Sequence, residues 1–431
     1  MNRWLTTLVL LVAAPLAYGD NETDVAATLA ATEWIVVLED PRPARQTGWS
    51  SGQGYRTRRP YNLDRRLDRL ARELAKQFSL TVVDQWPLRS LDVHCVVVQA
   101  AVNDPESVLR ALIDDARVRW VQPYQEFDGA SLGLRSNDEP LADLQHAYRR
   151  LNLPALDAMD GSGSRIVLID SAVDPAHPEL ADAVEAREDF VTRGPKISKR
   201  TGEHHGTGMA AVIAANARNA EGIAGIAPGA KLFALRACWE VDGARARCDT
   251  LSLSLAIEHA ASLSPHVLNL SLTGPPDQLL ERLLDRLVDA GTIVVAAFDE
   301  TRAVNKRFPL QRTGVVIARN GSSVQLPAAA GYFALANDVP TALPGEAYGT
   351  MSGHSIAAAH LSGAVALLAA RYGPAGSDQL LRALEQSTVV KDDGVSVDVC
   401  AAVNRLDADA NCGPPSIRNA ERNHGTGAGG I

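Results

Sequence analysis

The sequence lacks most of the features that would place its 431 residues in a specialised class of protein. Basic residues are in the minority, with 42 Lys and Arg against 51 Asp and Glu and a formal net charge of −9. That balance argues against general nucleic-acid binding, which needs a basic surface. Beyond the N-terminus no run is long and apolar enough for a membrane helix, and no Cys-x-x-Cys pair or Cys/His cluster has zinc-site spacing. The hydrophobic fraction of 46% and charged fraction of 22% are typical of a globular chain, and the length exceeds one compact domain.

The N-terminus has the pattern of a targeting segment. Arg3 supplies a positive charge, an apolar run extends from Leu5 to Leu16, and the small residues Ala17 and Gly19 follow. This order predicts a secretory signal peptide over residues 1–19 rather than a buried N-terminal strand or helix. We therefore expect an exported protein, secreted or periplasmic, with no membrane contact after the signal is removed.

Cysteine is scarce, with five in the chain. Cys238 and Cys248 bracket one polar loop, and Cys400 and Cys412 bracket another. This spacing is compatible with two short-range disulfides in an oxidising compartment. The fifth, Cys95, lies in the apolar stretch DVHCVVVQA and is interpreted as a buried core thiol.

The first part of the mature chain, residues 20–130, alternates between strand and helix patterns. Strand-like runs occur at EWIVVLE, SLTVVDQWP, LDVHCVVVQ and RVRWVQP, with helical patterns over Leu63–Phe78 and Pro105–Ala116. The order β-α-β-β-α-β predicts a small α+β domain of the ferredoxin-like type. The polar, glycine-rich sequence YQEFDGASLGLRSNDEP follows and is interpreted as a linker, with the boundary between the domains placed at residues 131–140.

Residues 141–407 have a different character, because short apolar runs such as SRIVLID and TIVVAAF alternate with alanine-rich helical stretches. This alternation predicts an α/β domain whose parallel sheet is covered by helices on both faces. In sheets of this kind the functional site lies at the carboxyl ends of the strands. Residues 408–431 are polar and without periodicity, and we expect a flexible tail there.

Three segments of the second domain carry residues suited to acyl transfer. Asp170 ends the strand RIVLID, His205 lies near the start of the helix HHGTGMAAVIAA, and Ser355 lies near the start of SGHSIAAAHLSGAVALL. Taken singly, the aspartate fits a turn, the serine fits a helix N-cap, and the small residues fit a packed central helix. Together they are the three types that a nucleophilic triad needs in one cleft. The tetrapeptide HGTG recurs at His424, but that copy lies in the expected tail, without a scaffold, and is discarded as a site.

These three blocks, in the chain order Asp, His, Ser, resemble those of the subtilases, the subtilisin-like serine peptidases. The segment HVLNLSLTGP is similar to the substrate-binding strand of that family, and GIAGIAPGAKL is similar to the segment after its histidine helix. The resemblance covers residues 141–407 and implies a three-layer, subtilisin-like α/β fold with a parallel sheet. Residues 20–130 more weakly resemble the family's inhibitory propeptide, which implies a zymogen that its own propeptide inhibits.

The resemblance also implies a role for each residue. His205 would take the proton of the Ser355 hydroxyl and later give it to the leaving amine, while Asp170 orients the imidazole. The amide of Ser355, at a helix start, would donate to the oxyanion. Pairing with an extended polypeptide substrate would fall to Ser271, Leu272 and Thr273.

Asp299 departs from the family pattern. Subtilases place an Asn here, whose side chain is the second oxyanion donor, whereas a carboxylate accepts hydrogen bonds and donates none unless it is protonated. Three alternatives follow: a raised pKa keeps Asp299 neutral so that it donates, another group donates instead, or the enzyme is slow or inactive. A branch of the family with Asp at this position is known, and we expect residual or full activity because all three triad residues are present.

Alignment with the family pattern indicates four further positions. Phe298 and Arg307 match the wall and floor of the primary specificity pocket, where Phe298 would narrow the pocket and Arg307 would favour an acidic or polar side chain. The interpretation preferred from sequence is instead that Lys306 and Arg307 form a solvated loop pair. Glu179 and Asn219 match positions that hold a structural calcium ion in many subtilases, and helix-cap or turn roles explain them equally well. The chemistry itself requires no cofactor.

The leading hypothesis from sequence is a secreted serine endopeptidase made as an autoprocessed zymogen, cut near residues 128–137. The alternative is a catalytically impaired homologue that acts as a binding or regulatory protein. An α/β hydrolase is disfavoured, because Ser355 lies in GHSIA rather than in a G-x-S-x-G elbow and the chain order of the triad differs.

Overall fold

The computed structural model describes residues 23–40, 65–99, 102–129, 144–156, 159–195, 202–219, 221–241, 245–303, 306–322, 331–373, 377–410 and 412. The expected signal peptide (1–19) and linker (131–140) lie outside these residues. So do His424 and most of the expected tail.

The described part of the N-terminal domain, within residues 23–129, contains three α-helices, one 3-10 helix (Arg89–Leu91) and five strands. The helices are α1 (Val25–Ala30), α2 (Arg65–Gln77) and α3 (Pro105–Ile113). The strands are β1 (Glu33–Glu39), β2 (Thr81–Leu88), β3 (Val93–Gln99), β4 (Val118–Pro123) and β5 (Glu126–Gly129). Strands β1 to β4 form an antiparallel sheet in the order β2-β3-β1-β4. The predicted β-α-β-β-α-β succession is present, with the unpredicted α1 in front of it.

The C-terminal domain begins at residue 144 of the described chain. Its α-helices are α4 (His146–Arg150), α5 (His204–Ala214), α6 (Thr250–Leu263), α7 (Gln278–Asp289), α8 (His354–Tyr372), α9 (Ser377–Glu385) and α10 (Val399–Leu406). The strands of its main sheet are β6 (Arg165–Asp170), β7 (Val184–Asp189), β8 (Lys231–Arg236), β11 (Val267–Leu270), β13 (Ile293–Ala297), β14 (Val315–Asn320) and β15 (Tyr332–Ala334). The shorter strands are β9 (Cys238–Val241), β10 (Arg245–Asp249), β12 (Leu272–Thr273), β16 (Val339–Leu343), β17 (Ala347–Met351), β18 (Thr388–Lys391) and β19 (Gly394–Val397).

The main sheet has seven strands in the order β15-β14-β13-β11-β6-β8-β7, and every neighbouring pair is parallel. Helices α5 and α8 pack in the apolar cluster on one face, and α6 and α7 pack in the cluster on the other. The predicted three-layer α/β architecture is confirmed. The strand order reverses between β6 and β11, and such a switch point opens a crevice at the carboxyl ends of the strands.

Helix α8 runs through the core of this domain. Among the described residues it is the one helix long and apolar enough to cross a membrane by length and composition, and 83% of its apolar window is buried inside the protein. Its alanine, serine and glycine residues allow close approach: a Cβ on Gly363 would lie 2.5 Å from the Cβ of Ile226. The small-residue pattern of this segment therefore serves packing as well as presenting Ser355.

The two faces of the N-terminal sheet have different partners. Trp34 and Val96 lie on the face that packs against α2 and α3. Trp86, Cys95 and Trp120 lie on the other face, in the same cluster as residues of α6 and α7. Both faces are apolar because neither is left to solvent, which is why these strands are nearly continuous hydrophobic runs.

Polar contacts fix the N-terminal domain on the C-terminal one. Gln122 donates to the side chain of Asp277 (2.9 Å), which caps α7, and accepts from the backbone N–H of Leu279 (3.1 Å). The backbone N–H of Ser90 donates to Glu258 of α6 (3.0 Å). The N-terminal domain thus completes the hydrogen bonding at the start of α7.

The linker interpretation is wrong for residues 126–129. They form β5, which lies between β12 and β10 in a second sheet of order β12-β5-β10-β9. The segment is polar in composition because its alternate residues, Glu126 and Asp128, are exposed, while Phe127 and Gly129 are buried. A polar, glycine-rich composition also suits a strand that is held by neighbours on both edges.

The cysteines are paired as their spacing indicated. Cys238–Cys248 joins opposite residues of β9 and β10, and Cys400 is bonded to Cys412. Cys95 is a buried free thiol, and burial together with the negative charges of Asp277 and Glu258 raises its pKa.

Candidate active site

Asp170 and His205 form a buried pair at the carboxyl edge of the main sheet. Asp170 is the last residue of β6, and His205 is the second residue of α5. The Nδ1 atom of His205 lies 2.6 Å from Oδ1 of Asp170, and the two side chains are 1% and 3% exposed. The backbone N–H of Ser171 donates to the same carboxylate oxygen at 2.7 Å. The carboxylate therefore fixes the imidazole in one orientation and leaves Nε2 as its reactive end.

A second carboxylate, Glu240 of β9, also contacts the start of α5. Its Oε1 atom accepts from the backbone N–H of His205 (2.8 Å), and its Oε2 atom lies 3.1 Å from Nδ1 of His204. Glu203 accepts from the backbone N–H of Glu240 (3.0 Å) and is held by Arg236 (3.1 Å). Glu240 thus supplies an acceptor and a negative charge at a helix N-terminus, where both are favourable.

These surroundings change the acidity of His205. Burial lowers its pKa, but the charge of Asp170, the hydrogen bond to Asp170 and the charge of Glu240 outweigh burial and leave the pKa raised. Among the described residues the buried Nε2 atom has no hydrogen-bond partner. The imidazole is therefore a strengthened base with a free acceptor position.

Ser355 lies at the start of α8, against the end of β11. Its hydroxyl donates to the backbone carbonyl of Ser271 at 2.7 Å, and the Ser271 hydroxyl lies 3.2 Å from the carbonyl of Ser355. The Ser271 hydroxyl also contacts Asn269 (2.8 Å), whose amide donates to Ser362 of α8 (2.8 Å). This network joins the serine helix to the strand that continues into Leu272.

Strand β5 connects the two halves of the site. Leu272 and Thr273 pair with Gly129 and Asp128, so the chain next to Ser271 carries β5 along its edge. A Cβ built on Gly129 would lie 3.5 Å from Cε1 of His205. The end of β5 therefore lies beside the imidazole on one side and the Ser271 strand on the other, in the position of an extended peptide added to a sheet edge.

Asp299 follows β13, and its carboxylate faces its own loop. Oδ1 accepts from the backbone N–H (2.8 Å) and the hydroxyl (2.6 Å) of Thr301, and Oδ2 accepts from Arg302 (2.6 Å) and Thr273 (3.3 Å). Burial raises the pKa of Asp299, but the hydrogen bonds from Thr301 and Arg302 outweigh it and lower the pKa to about 2. The alternative in which a raised pKa keeps this residue neutral is wrong, because at neutral pH the side chain is an ionised acceptor.

The solvated-loop interpretation is wrong for Arg307, which is 4% exposed. Its guanidinium donates to the backbone carbonyl of Asp299 (2.9 Å) and lies 4.5 Å from the ring centroid of Phe298. Arg319 lies over the same ring at 4.2 Å, and the ring of His354 meets it edge-on at 5.3 Å. Stacking on an aromatic face is what allows these guanidinium groups to leave bulk water.

Glu179 and Asn219 contact each other. The Asn219 amide nitrogen donates to Glu179 (3.2 Å), which also accepts from the backbone N–H of Ile223 (3.0 Å) and from the hydroxyl of Tyr348 (3.0 Å). Within the described part of the chain, no group of three His, Cys, Asp or Glu side chains could hold a metal ion. Protein donors surround the carboxylate, as in the turn role, and the calcium ion stays a prediction from the family resemblance.

The sequence reasoning missed Glu240, Ala246 and Phe127. The Asp-Gly pair inside CWEVDGARARC is a hairpin signal that would have placed Glu240 and Ala246 on facing strands. Phe127 is an apolar aromatic residue in an otherwise polar stretch, and that contrast is its only signal. No local pattern indicates that either strand of the hairpin reaches His205, because that contact joins residues distant in sequence.

Known proteins with similar sequences indicate the family to which this chain belongs. The profile of the subtilase family matches residues 161–336. Subtilisin BL of Lederbergia lenta is 31% identical over 229 residues, which is 51% of this chain and 81% of that protein. Thermitase of Thermoactinomyces vulgaris is 29% identical over 269 residues, 60% of this chain and 92% of that protein.

One solved structure shares the fold over nearly the whole chain. It is fervidolysin from Fervidobacterium pennivorans, described as a keratinolytic enzyme related to subtilisin, with a TM-score of 0.62 and 19% identity. The match covers 90% of this chain and spans 62% of the fervidolysin chain. Together with the matched sequences and the Asp170–His205 pair at the sheet edge, this likeness shows that the chain belongs to the subtilase family, the subtilisin-like serine peptidases.

Proposed function

We propose that this chain is a secreted or periplasmic serine endopeptidase, made as a zymogen, with Asp170, His205 and Ser355 as its catalytic triad. The observation that carries the proposal is strand β5, which binds in the cleft as an extended substrate would. It pairs with β12 on one edge and β10 on the other, and its last residue, Gly129, lies beside His205.

The triad acts through His205 as a base and then as an acid. The Ser355 oxygen attacks the carbonyl carbon of the substrate while its proton passes to Nε2 of His205. The imidazolium then gives that proton to the nitrogen of the leaving amine as the peptide bond breaks, which leaves an acyl-enzyme that water hydrolyses by the reverse proton path. Asp170, 2.6 Å from Nδ1, stabilises the imidazolium in each step.

In this proposal the backbone N–H of Ser355 donates a hydrogen bond to the oxyanion, and the Asp299 side chain does not. The backbone N–H of Ser355, in the first turn of α8, points where the helix dipole favours negative charge. Asp299 supplies no donor, because both of its carboxylate oxygens are acceptors. We therefore expect a working enzyme whose turnover is limited by a missing donor.

The substrate is an extended polypeptide that pairs with Leu272 and Thr273 as β5 does. The register that pairs Leu272 with Gly129 would place the next substrate residue opposite Ser271, whose backbone carbonyl accepts from the Ser355 hydroxyl at 2.7 Å. The residue that follows Gly129 in the sequence is an alanine. The bond after that alanine is the proposed site of self-cleavage.

The pro-region is the natural inhibitor in this proposal. It combines an apolar sheet face on α6 and α7 with the β5 segment in the cleft, so release requires both contacts to be lost. Autoprocessing severs the chain between the domains but leaves these contacts in place, so inhibition persists until the pro-region leaves or is degraded.

The test compares the full chain with Ser355→Ala and, as a matched control, Ser262→Ala, whose hydroxyl bonds a backbone carbonyl within α6 far from the cleft. We expect the unaltered chain and the control to yield a new N-terminus after the alanine that follows Gly129, and to react with a fluorophosphonate probe. Ser355→Ala should remain uncut and unlabelled. An unaltered chain that stays intact and ignores the probe would instead support a binding or regulatory homologue.

A further inference from the structure

The cleft encloses the β5 segment at two of its positions, 127 and 129. Phe127 is 0% exposed and Gly129 is buried, whereas Glu126 and Asp128 point to solvent. The two buried positions are two residues apart because successive side chains on a strand point to opposite faces.

The ring of Phe127 occupies a site bordered by Phe308 and Gly274, the aromatic seat. Its ring meets the ring of Phe308 edge-on, with centroids 5.4 Å apart and an interplanar angle of 70°. Phe308 is fixed by two backbone hydrogen bonds to Gly274, of 2.8 and 3.3 Å. These bonds hold the backbone of Phe308 independently of the segment that its ring contacts.

Gly274 is what opens this seat. A Cβ at position 274 would lie 2.0 Å from Cδ1 of Phe127 and 2.7 Å from its Cε1. Contacts that short do not occur, so any other residue at 274 would displace an aromatic ring from the seat. Because Gly274 has no side chain, the space beside it can hold the ring of Phe127.

At the second position, Gly129, the methyl group of Ala246 leaves no space for a side chain. A Cβ on Gly129 would lie 2.9 Å from the Cβ of Ala246. Ala246 cannot rotate out of the way, because its Cβ is attached directly to the backbone of β10. That strand is paired with β9 and joined to it by the Cys238–Cys248 disulfide, so the collision cannot be relieved by a small shift.

We propose that the cleft selects polypeptides with an aromatic residue two positions before a glycine, and that Gly274 and Ala246 set this choice. The proposal rests on the proposed peptidase function, and it names the substrate class that the same site takes. The residue between the two is free to vary, because the Asp128 side chain is exposed. The pro-region itself carries the selected sequence, Phe-Asp-Gly.

The first test uses internally quenched peptides and the enzyme released by autoprocessing of the full chain. A peptide with Phe-Asp-Gly-Ala is compared with an Ala-Asp-Gly-Ala peptide and with a Phe-Asp-Ala-Ala peptide. Loss of the ring should lower kcat/KM about 10²-fold, from the usual effect of emptying a buried aromatic site. The added methyl should lower it about 10-fold, the usual effect of overpacking.

Two enzyme variants assign these preferences to their residues. Ala246→Gly should reduce the penalty for the added methyl to less than about threefold, since it removes the colliding atom. Gly274→Ala should abolish the preference for phenylalanine over alanine at the first position. Ala261→Gly, the same change at an exposed position of α6, should leave both preferences as they are. Cleavage that is indifferent to the ring or to the methyl would overturn the proposal.

A second test needs no catalysis and separates this inference from the proposed function. In the full chain with Ser355→Ala, the substitution Gly129→Ala should lower Tm, and adding Ala246→Gly should restore most of the loss. The coupling between the two positions follows from the double-mutant cycle. If no peptide is cut but this coupling is found, the peptidase proposal fails and the selectivity stands as a binding preference. If the coupling is absent, the selectivity is refuted whether or not peptides are cut.

Discussion

Asp299→Asn tests whether a missing oxyanion donor limits the peptidase activity proposed above. Phe298 and Glu300 both contact His354, the residue before Ser355, through a ring contact of 5.3 Å and a hydrogen bond of 2.7 Å. Asp299 therefore lies on the loop that borders the nucleophile. The substitution removes a negative charge from that loop and offers an amide N–H₂ group in its place.

The expected change in rate is large. Supplying one oxyanion donor is worth about 10²- to 10³-fold in turnover, so kcat should rise by about tenfold even if the new amide is imperfectly placed. The amide oxygen can still accept the two hydrogen bonds from Thr301, which holds the side chain in the loop. An amide nitrogen replaces the other carboxylate oxygen. Because this nitrogen donates, it no longer accepts hydrogen bonds from Arg302 and Thr273.

The expected change in stability has the opposite sign. Arg302 loses its carboxylate acceptor, and Thr273 loses one of its two acceptors but keeps the backbone carbonyl of Phe308; both lost hydrogen bonds have an ionised acceptor. Because Arg302 is 37% exposed and can turn to water, the loss should come to about 1–3 kcal/mol. For a domain of this size that corresponds to a fall in Tm of about 2–10 °C. Activity should thus be gained at the expense of stability.

The assay measures kcat with the Phe-Asp-Gly-Ala peptide, on enzyme whose active sites are counted by fluorophosphonate titration, and Tm by thermal denaturation. Asp289→Asn, the same change on an exposed residue at the end of α7, serves as the control. A kcat that stays the same means that the second donor does not limit the rate. A kcat that falls means that the Asp299 carboxylate has a positive role in catalysis, and either result refutes the reasoning.

Two further predictions concern the β9–β10 hairpin. Glu240→Gln keeps an acceptor for the backbone of His205 but removes the charge that helps to raise its pKa, so the acid limb of the kcat/KM profile should move to lower pH; a limb that stays in place would show that this charge is screened. Replacing Cys238 and Cys248 by serine should lower stability by about 2–3 kcal/mol and raise KM more than it lowers kcat, because β10 pairs with β5, which occupies the proposed substrate position. Removing the C-terminal disulfide is the comparison, and an equal rise in KM there would contradict the second prediction.

Much of the architecture could be predicted from periodicity. The apolar runs at β6, β11 and β13 are buried on both faces, so their hydrophobic pattern is continuous and easy to recognise. The proposed triad residues were singled out by the resemblance of their three segments to those of the subtilases, and this assignment stays a prediction. Asp170 ends a strand, and His205 and Ser355 lie in the first turns of helices, so each lies at a boundary that local sequence marks well.

The parts that could not be predicted depend on contacts between distant segments. Strand β5 has no apolar pattern of its own and exists because β10 and β12 pair with it. Arg307 reads as a loop residue, yet the Phe298 ring and the Asp299 carbonyl together give it a buried position. The low pKa of Asp299 likewise depends on its hydrogen bonds with Thr301 and Arg302. The sequence does not specify these contacts, so the protonation state of Asp299 could not be predicted from it.

The reactivity of the Cys95 thiol would report the release of the pro-region in the zymogen proposed above. Its thiol is buried on the sheet face that covers α6 and α7, and part of its weak acidity comes from Asp277 and Glu258, which belong to the other domain. In the zymogen proposed above, departure of the pro-region would remove both the apolar cover and the two carboxylates from the sulfur, so the thiol would become open to alkylating reagents and more acidic. An iodoacetamide label on the departing fragment therefore marks each molecule that has been unblocked.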